Sequence, residues 1–323
     1  MIYKDEVRAN LWSWADANHR GQLDGGKRER RPPVLGKGFE AENVLVSPDG
    51  FRSEEVRAAI PVRERHRWFR SLFSSQALAQ SVFGNIRAYG RLDLLRDVPA
   101  ECGREAFFRE DEDWSLDLEH RIGSLNEPRP TTVDVLLQSS GRRIAVECKF
   151  TEDEFSTCSR TRLPKQDAHH CNGNYEVQQG RLERCALSEQ GISYWRHLPQ
   201  LFDWPADRNH APCPFAGVYQ LARNALAATL SPAGELDSES GHMLLVYDDR
   251  NPEFHPDGRG SRQWRMALEA CRVDGLLRRI SWQRLLGSLS GAGELQWLLD
   301  ALERKYGLLS ELPPKSNIDS LLK

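Results

Sequence analysis

No stretch of this sequence stays apolar for the roughly 20 residues that a membrane-spanning helix needs, so no membrane partner is expected. The opening residues MIYKDEVRAN include Asp5 and Glu6 and lack an apolar run, so no secretory signal is expected and the chain reads as cytoplasmic. An excess of one charge is also missing. The net charge is −3, so a polyanion would have to be met by a local surface. Lysine is scarce, eight residues against 36 arginines. Arginine forks phosphate oxygens well, although the codon bias of a GC-rich genome explains the excess equally. There is no internal repeat. The absence of GxxxxGK[ST] removes an ATP motor, and the absence of GxSxG removes a serine hydrolase of the usual pattern. No CxxC pair occurs among the seven cysteines, which run from Cys102 to Cys271. An odd number in a chain of this kind implies reduced thiols, used for packing or for a metal, rather than disulfides.

What is present builds a soluble globular protein. Hydrophobic residues make up 39% and charged residues 28% of 323 positions, which suits one large domain with insertions, or two. Residues 4–19 have Val7, Leu11 and Trp14 at helical spacing. The Gly-, Pro- and charge-rich run that follows reads as a loop, and its KRERR cluster at 27–31 reads as a solvated linker or a phosphate contact. Residues 54–91 are mostly helical in pattern, with small residues over 74–90 that suggest close packing. Residues 95–130 look irregular and charge-dense. Residues 151–214 have little periodicity. Beyond them, 218–230 predicts a helix, 241–248 a buried strand, 264–277 and 294–308 helices, and 280–286 a strand or a helix start.

The clearest β signal is TTVDVLLQSSGRRIAVECKF at 131–150. Side chains alternate across a strand. Val133, Val135 and Leu137 therefore share one face with Ile144, Val146, Cys148 and Phe150 of the next strand. The other face collects Asp134, Ala145, Glu147 and Lys149. A turn centred on Ser140–Gly141 sets Asp134 directly opposite Glu147, with Lys149 two residues along on the same face. A one-residue slip would exchange the apolar and charged sets, so the pattern itself holds the register.

Two opposed carboxylates repel unless a cation lies between them. A hard divalent ion suits oxygen ligands. Such an ion polarises a phosphoryl oxygen and lowers the pKa of bound water, and a neighbouring lysine can steady the developing charge. The bland alternative is a solvated strand face with an ordinary Glu–Lys side pair.

Asp134, twelve intervening residues and then Glu147-Cys148-Lys149 at the end of an apolar strand resemble the signature of the PD-(D/E)xK nuclease superfamily. The resemblance implies a restriction-endonuclease-like α/β fold, a mixed central sheet flanked by helices, with an α-β-β-β-α-β core. It implies Asp134, Glu147 and the Cys148 carbonyl as ligands of Mg²⁺ or Mn²⁺, and Lys149 as the catalytic lysine. Val133 stands where the signature usually has proline. On this reading residues 70–250 form the core with a cysteine-bearing insertion at 151–214. Residues 1–69 are a helical extension with a basic loop, and 251–323 a helical part completing the core. The first core helix offers only Gln76 and Gln80 where an acid would be typical, with Glu119 as a possible substitute. Gln220 and Arg223 resemble the polar residues that exonuclease-like members set beside the metal, although a solvated helix face explains both. SSQALAQSVFG, ECKFTE and PCPF followed by YQLARN also look like a narrower group of bacterial restriction endonucleases.

The expected activity is metal-dependent phosphodiester hydrolysis with nucleic acid, DNA first, as the partner. The alternatives are a nucleic-acid-binding module of the same fold that does not cleave, and another metal-dependent hydrolase built on the same hairpin. Endo or exo cutting, DNA against RNA and oligomeric state stay open. His169–His170 read as a polar loop or ligands. Residues 193–195, Phe202 and Trp204 read as packing or as base-stacking aromatics. Cys158, Cys171, Cys185 and Cys213 all fall between the candidate strand and the following helix, in a segment with few large aliphatics at its start. Four thiolates there would suit structural Zn²⁺ or an iron–sulfur cluster, and ordinary packing as small apolar residues is the rival reading.

Overall fold

A computed structural model describes residues 3–25, 28, 30–109, 112–178, 180–289 and 293–309, so Lys27 and Glu29 of the KRERR cluster lie outside the described residues. In chain order the helices are α1 (Tyr3–Asn18), α2 (Ser53–Ala58), α3 (Ser75–Ala88), α4 (Tyr194–Leu201), α5 (Pro214–Gly217), α6 (Tyr219–Thr229), α7 (Arg259–Ala270), α8 (Trp282–Ser288) and α9 (Gln296–Tyr306). The strands are β1 (Ser115–Ile122), β2 (Thr131–Gln138), β3 (Arg143–Cys148), β4 (Gly241–Tyr247) and β5 (Leu277–Ser281), and they form one sheet in the order β1-β2-β3-β4-β5. The first three are antiparallel neighbours, while β3–β4 and β4–β5 are parallel. Parallel pairing requires a crossover, which α6 supplies between β3 and β4 and α7 between β4 and β5. The element order α3-β1-β2-β3-α6-β4 is the expected α-β-β-β-α-β core.

Helices cover both faces of the sheet, and the apolar residues divide accordingly. Val135, Leu137, Ile144, Val146 and Cys148 join Leu244 and Val246 in a core with α1, α3, α8 and α9. Leu136, Ala145, Met243 and Leu245 face the opposite way, into a core with α4, α6 and α7. A strand buried on both faces needs a nearly continuous apolar run, which GHMLLVY supplies. Gly241 opens β4 because a Cβ there would overlap the carbonyl oxygens of Arg143 and Ala228. Helix α3 is capped by Ser74, whose hydroxyl accepts the Ala77 N–H at 3.2 Å, and it is buried from Gln76 to Ile86. Its small residues let α2 lie close, with Val56 and Ala59 beside Gly84.

The hairpin register is the expected one. Val135 pairs with Val146 and Gln138 with Arg143 around a turn in which the Ser139 N–H donates to Arg142 O. Several expectations are corrected. Residues 115–122, expected to be irregular, form β1. Its alternation is Leu116 and Leu118 inward with acids between them, and the surrounding charge hid it. The face bearing Glu147 and Lys149 is not solvated, since these residues are 5% and 6% exposed beneath the second layer of helices. Val133 packs in the second core with Leu136, not in the first with Val135 and Leu137. Opposite this part of β2, Glu119 of β1 has φ 49°, and that left-handed residue breaks the simple alternation. The helix expected over 264–277 starts earlier and stops at Ala270, before β5. Residues 280–286 hold both the end of β5 and the start of α8, the latter capped by Ser281. Within 151–214, Tyr194–Leu201 is helical, and Tyr194, Trp195, Phe202 and Trp204 are buried, so packing accounts for these aromatics. His170 bonds Leu163 O through Nδ1 at 2.9 Å in a loop. Arg28 of the basic cluster is tied to α1 through Asp16 and the Trp12 ring. No described helix is long and apolar enough to cross a membrane.

Candidate active site

The antiparallel ladder aligns three acids across three strands. Leu118 faces Val135 and His120 faces Val133, so Glu119 falls beside Asp134. Val135 faces Val146, so Asp134 falls beside Glu147. Lys149 follows on β3. The end of that strand is pinned from several sides. The Trp282 indole donates to Lys149 O at 3.0 Å, and both the Tyr3 hydroxyl and the Asn251 amide donate to Phe150 O.

Each acid has polar support. Asp134 Oδ2 accepts the Cys148 N–H at 2.7 Å, which closes the ladder with a side chain where the β2–β3 pairing stops. Glu147 accepts the Gln220 amide at Oε1 and the Asn224 amide at Oε2, each at 2.7 Å. Gln220 and Asn224 are four residues apart on α6 and therefore share a face. The Lys149 ammonium lies 3.0 Å from Glu147 Oε1 and donates to Gln220 Oε1 at 3.0 Å. Glu119 accepts the Gln76 amide at 2.6 Å, and Gln76 also reaches Glu64 O and accepts the His66 N–H. Glu152 closes the far side, accepting from Ser75 Oγ and from the Phe150 N–H.

The electrostatics follow from crowding. Burial and then the charges of Glu147 and Glu119 push the Asp134 carboxyl well above the ordinary carboxylate range. Glu119 rises to about 7, chiefly by burial, with Gln76 and Thr132 opposing and Glu147 and Glu64 adding. Burial favours loss of the Lys149 proton, but Glu147, Glu152 and Asp134 outweigh it and raise the lysine above its usual value. The Cys148 thiol is buried and pushed well up, so its side chain belongs to the core.

The donor set is chemically suited to a hard divalent cation: carboxylates side by side that repel one another, beside one buried ammonium. As the side chains stand, no group of three or more His, Cys, Asp or Glu among the described residues is set to hold a metal ion. Glu119 is turned to Gln76, and Asp134 to the Cys148 N–H.

The residues expected from sequence therefore divide. Asp134, Glu147, Lys149, Glu119, Gln76 and Gln220 come together. Gln80 does not, because its amide donates to Val56 O and Arg57 O beneath α2. Arg223 is also turned away, bonded to Thr131 and lying 3.7 Å from Glu127 and 4.8 Å from the Tyr219 ring. Asn224 and Glu152 were missed. Helical spacing from Gln220 points to Asn224, while Glu152 lies just past the strand within ECKFTE. The four insertion cysteines form a separate cluster, considered below.

Searches among curated proteins and solved structures found no match. A family described as Restriction Endonuclease associating with ARP matches residues 9–307, nearly the whole chain. With a mixed five-stranded sheet between helical layers and its acids aligned at the β2–β3 hairpin, this chain belongs to that restriction endonuclease family.

Proposed function

We propose that this chain is a metal-dependent nuclease that hydrolyses phosphodiester bonds in DNA, with Asp134, Glu147 and Lys149 as its catalytic set. The observation that carries the proposal is the alignment of Glu119, Asp134 and Glu147 across adjacent strands beside a buried ammonium. Mg²⁺ or Mn²⁺ would be held by Asp134, Glu147 and the Cys148 carbonyl, with Glu119 as the neighbouring carboxylate. Bound there, such an ion polarises a phosphoryl oxygen and acidifies water. The chain's own residues do the positioning. Gln220 and Asn224 fix both oxygens of Glu147, and the Cys148 N–H fixes Asp134. Lys149 has a third N–H to offer to a phosphate oxygen or to the attacking water.

DNA as the substrate is supported by the family and by a local arginine-rich segment, in which Arg63 pairs with Glu64 and Arg65 donates to Arg57 O. Glu64 and His66, both bonded to Gln76, lie in a segment with Arg63, Arg65 and Arg67. Trp68 follows, 56% exposed, with Arg67 5.4 Å from its ring. Arginine forks and an open aromatic face suit a phosphate backbone with unstacked bases. Buried, crowded carboxylates weaken the rival of a module that only binds, since they would repel a phosphate chain without adding affinity.

The test is cleavage of linear, circular and branched DNA, and of RNA, by purified protein with Mg²⁺ or Mn²⁺. Activity that disappears in EDTA and in Glu147→Ala is expected. Cleavage persisting in excess chelator, or full activity in that variant, overturns the mechanism. Tight DNA binding without cleavage under every metal condition supports the binding module instead.

A further inference from the structure

Cys158, Cys171, Cys185 and Cys213 are separated in sequence by 12, 13 and 27 residues, yet all four line one partly open space of about 20 Å³. The thiols surround the space instead of meeting at a point. None of the described residues is arranged to ligate a single ion, whereas tetrahedral zinc draws four sulfurs around one atom at about 2.3 Å.

Cys171 Sγ accepts the Gln178 amide at 3.6 Å and lies 3.6 Å from Asn174 O. Arg160 also lines the space, and its Nε is buried with no hydrogen-bond partner, as suits a pocket whose loaded centre is anionic.

We propose that Cys158, Cys171, Cys185 and Cys213 ligate an iron–sulfur cluster of the 4Fe–4S type, which staples the insertion to the catalytic face. The stapling follows from the contacts. The Cys158 N–H donates to Ala216 O at 2.9 Å, and the Gln220 N–H donates to Ser156 O at 3.2 Å. Gln220 Oε1 in turn accepts the Ser156 N–H at 2.9 Å while also accepting from Lys149. A centre holding Cys158 and Cys213 together therefore holds the loop that seats Gln220 on Glu147 and Lys149. The cluster assignment does not depend on the nuclease reading; only the effect on Gln220 does.

The experiment is anaerobic purification of the full chain without a His tag, followed by iron, acid-labile sulfide and zinc analysis and visible and EPR spectra. About four iron and four sulfide per chain are expected, with a visible absorbance that bleaches on reduction. The Cys171→Ser, Cys185→Ser double variant loses the iron. The Cys102→Ser, Cys271→Ser variant retains it, since neither residue lines the space. Should the first variant fail to fold, stripping iron from wild-type protein with a strong chelator exposes four titratable thiols if the assignment holds. Stoichiometric zinc in place of iron, or wild-type protein with neither metal, overturns it. Cluster-loaded protein that cleaves no DNA leaves the cluster standing and removes the nuclease reading alone.

Discussion

Two lysines are buried among the described residues, and their surroundings are opposite. Lys149 is bonded to Glu147 and Gln220 with Glu152 and Asp134 nearby, and the carboxylates hold it charged. Lys305, fully buried on α9, donates to Asn43 O and Oδ1 at 2.5 and 2.9 Å and lies 4.6 and 4.9 Å from the Trp14 and Tyr306 rings. Among the described residues no carboxylate is paired with it, and burial lowers it well below its ordinary value. Burial is common to both, so the carboxylates make the difference. On the proposed reading the lysine kept charged serves the chemistry, while the one left to neutralise fastens α9 to the segment before α2.

The sharpest way to break this comparison is to remove each lysine in turn. Lys149→Ala should lower cleavage by roughly 10²–10³-fold, the usual loss for a preorganised charge-stabilising group. Lys305→Met should leave cleavage within about twofold while lowering stability by about 1–3 kcal/mol, because it leaves the buried Asn43 oxygens without their donor. Steady-state cleavage rates and urea melts of both variants decide the matter. A Lys305→Met protein that folds but does not cut would show that the contrast is wrong.

A smaller effect is expected one step back from the charges. Gln220→Ala and Asn224→Ala remove the amides that orient Glu147, and losses of about 10–100-fold are expected, as for other groups supporting metal ligands. Rescue of Asn224→Ala by Asn224→Gln would weaken the case for a fixed geometry. Retained activity in Gln220→Ala would detach the insertion from the active site.

The smallest effects are in the pH dependence of stability, where the two regions should move in opposite directions. Glu119 and Asp134 have folded-state values above their unfolded ones, so the folded chain binds the extra protons. Stability from this source is present in acid and is lost as pH rises from about 4.5 towards about 7. Added Ca²⁺ should recover it above neutrality, and Glu119→Gln should flatten the slope. Lys305 is depressed, so the unfolded chain binds the extra proton and stability rises with pH towards the ordinary lysine value of about 10.5. Melts of wild type and Lys305→Met at about pH 8 and about pH 10 test the sign: only wild type should gain.

The candidate hairpin was legible because its information is local. A turn at Ser140–Gly141 and strict alternation fix which residues face each other, and the observed pairs follow. What covers the hairpin was not local. Helix α6 lies some seventy residues beyond β3, so the burial of Glu147 and Lys149 could not be read from the strand. Glu119 was hard to place for a different reason: β1 loses its alternation at a left-handed residue in a charge-dense stretch. Gln80 and Arg223 show the limit of reading roles from a helix face. Each lies on the expected helix, but its side chain is spent on nearby carbonyl, hydroxyl or carboxylate groups. The cysteines were conspicuous as a set, yet only the folded loops bring all four around one space.

The left-handed backbone at Glu119 has a consequence for the protein in crowded solution. β1 is a terminal strand of the sheet, and a terminal strand offers a template on which a second chain could add. A residue at φ 49° in its middle, with Asp117 and Arg121 two positions to either side, spoils the straight run of N–H and C=O groups that an incoming strand would need. The kink that brings an acid to the candidate site thereby also guards the edge against aggregation, so Glu119→Val, which favours a regular strand, should be recovered from cells in less soluble form.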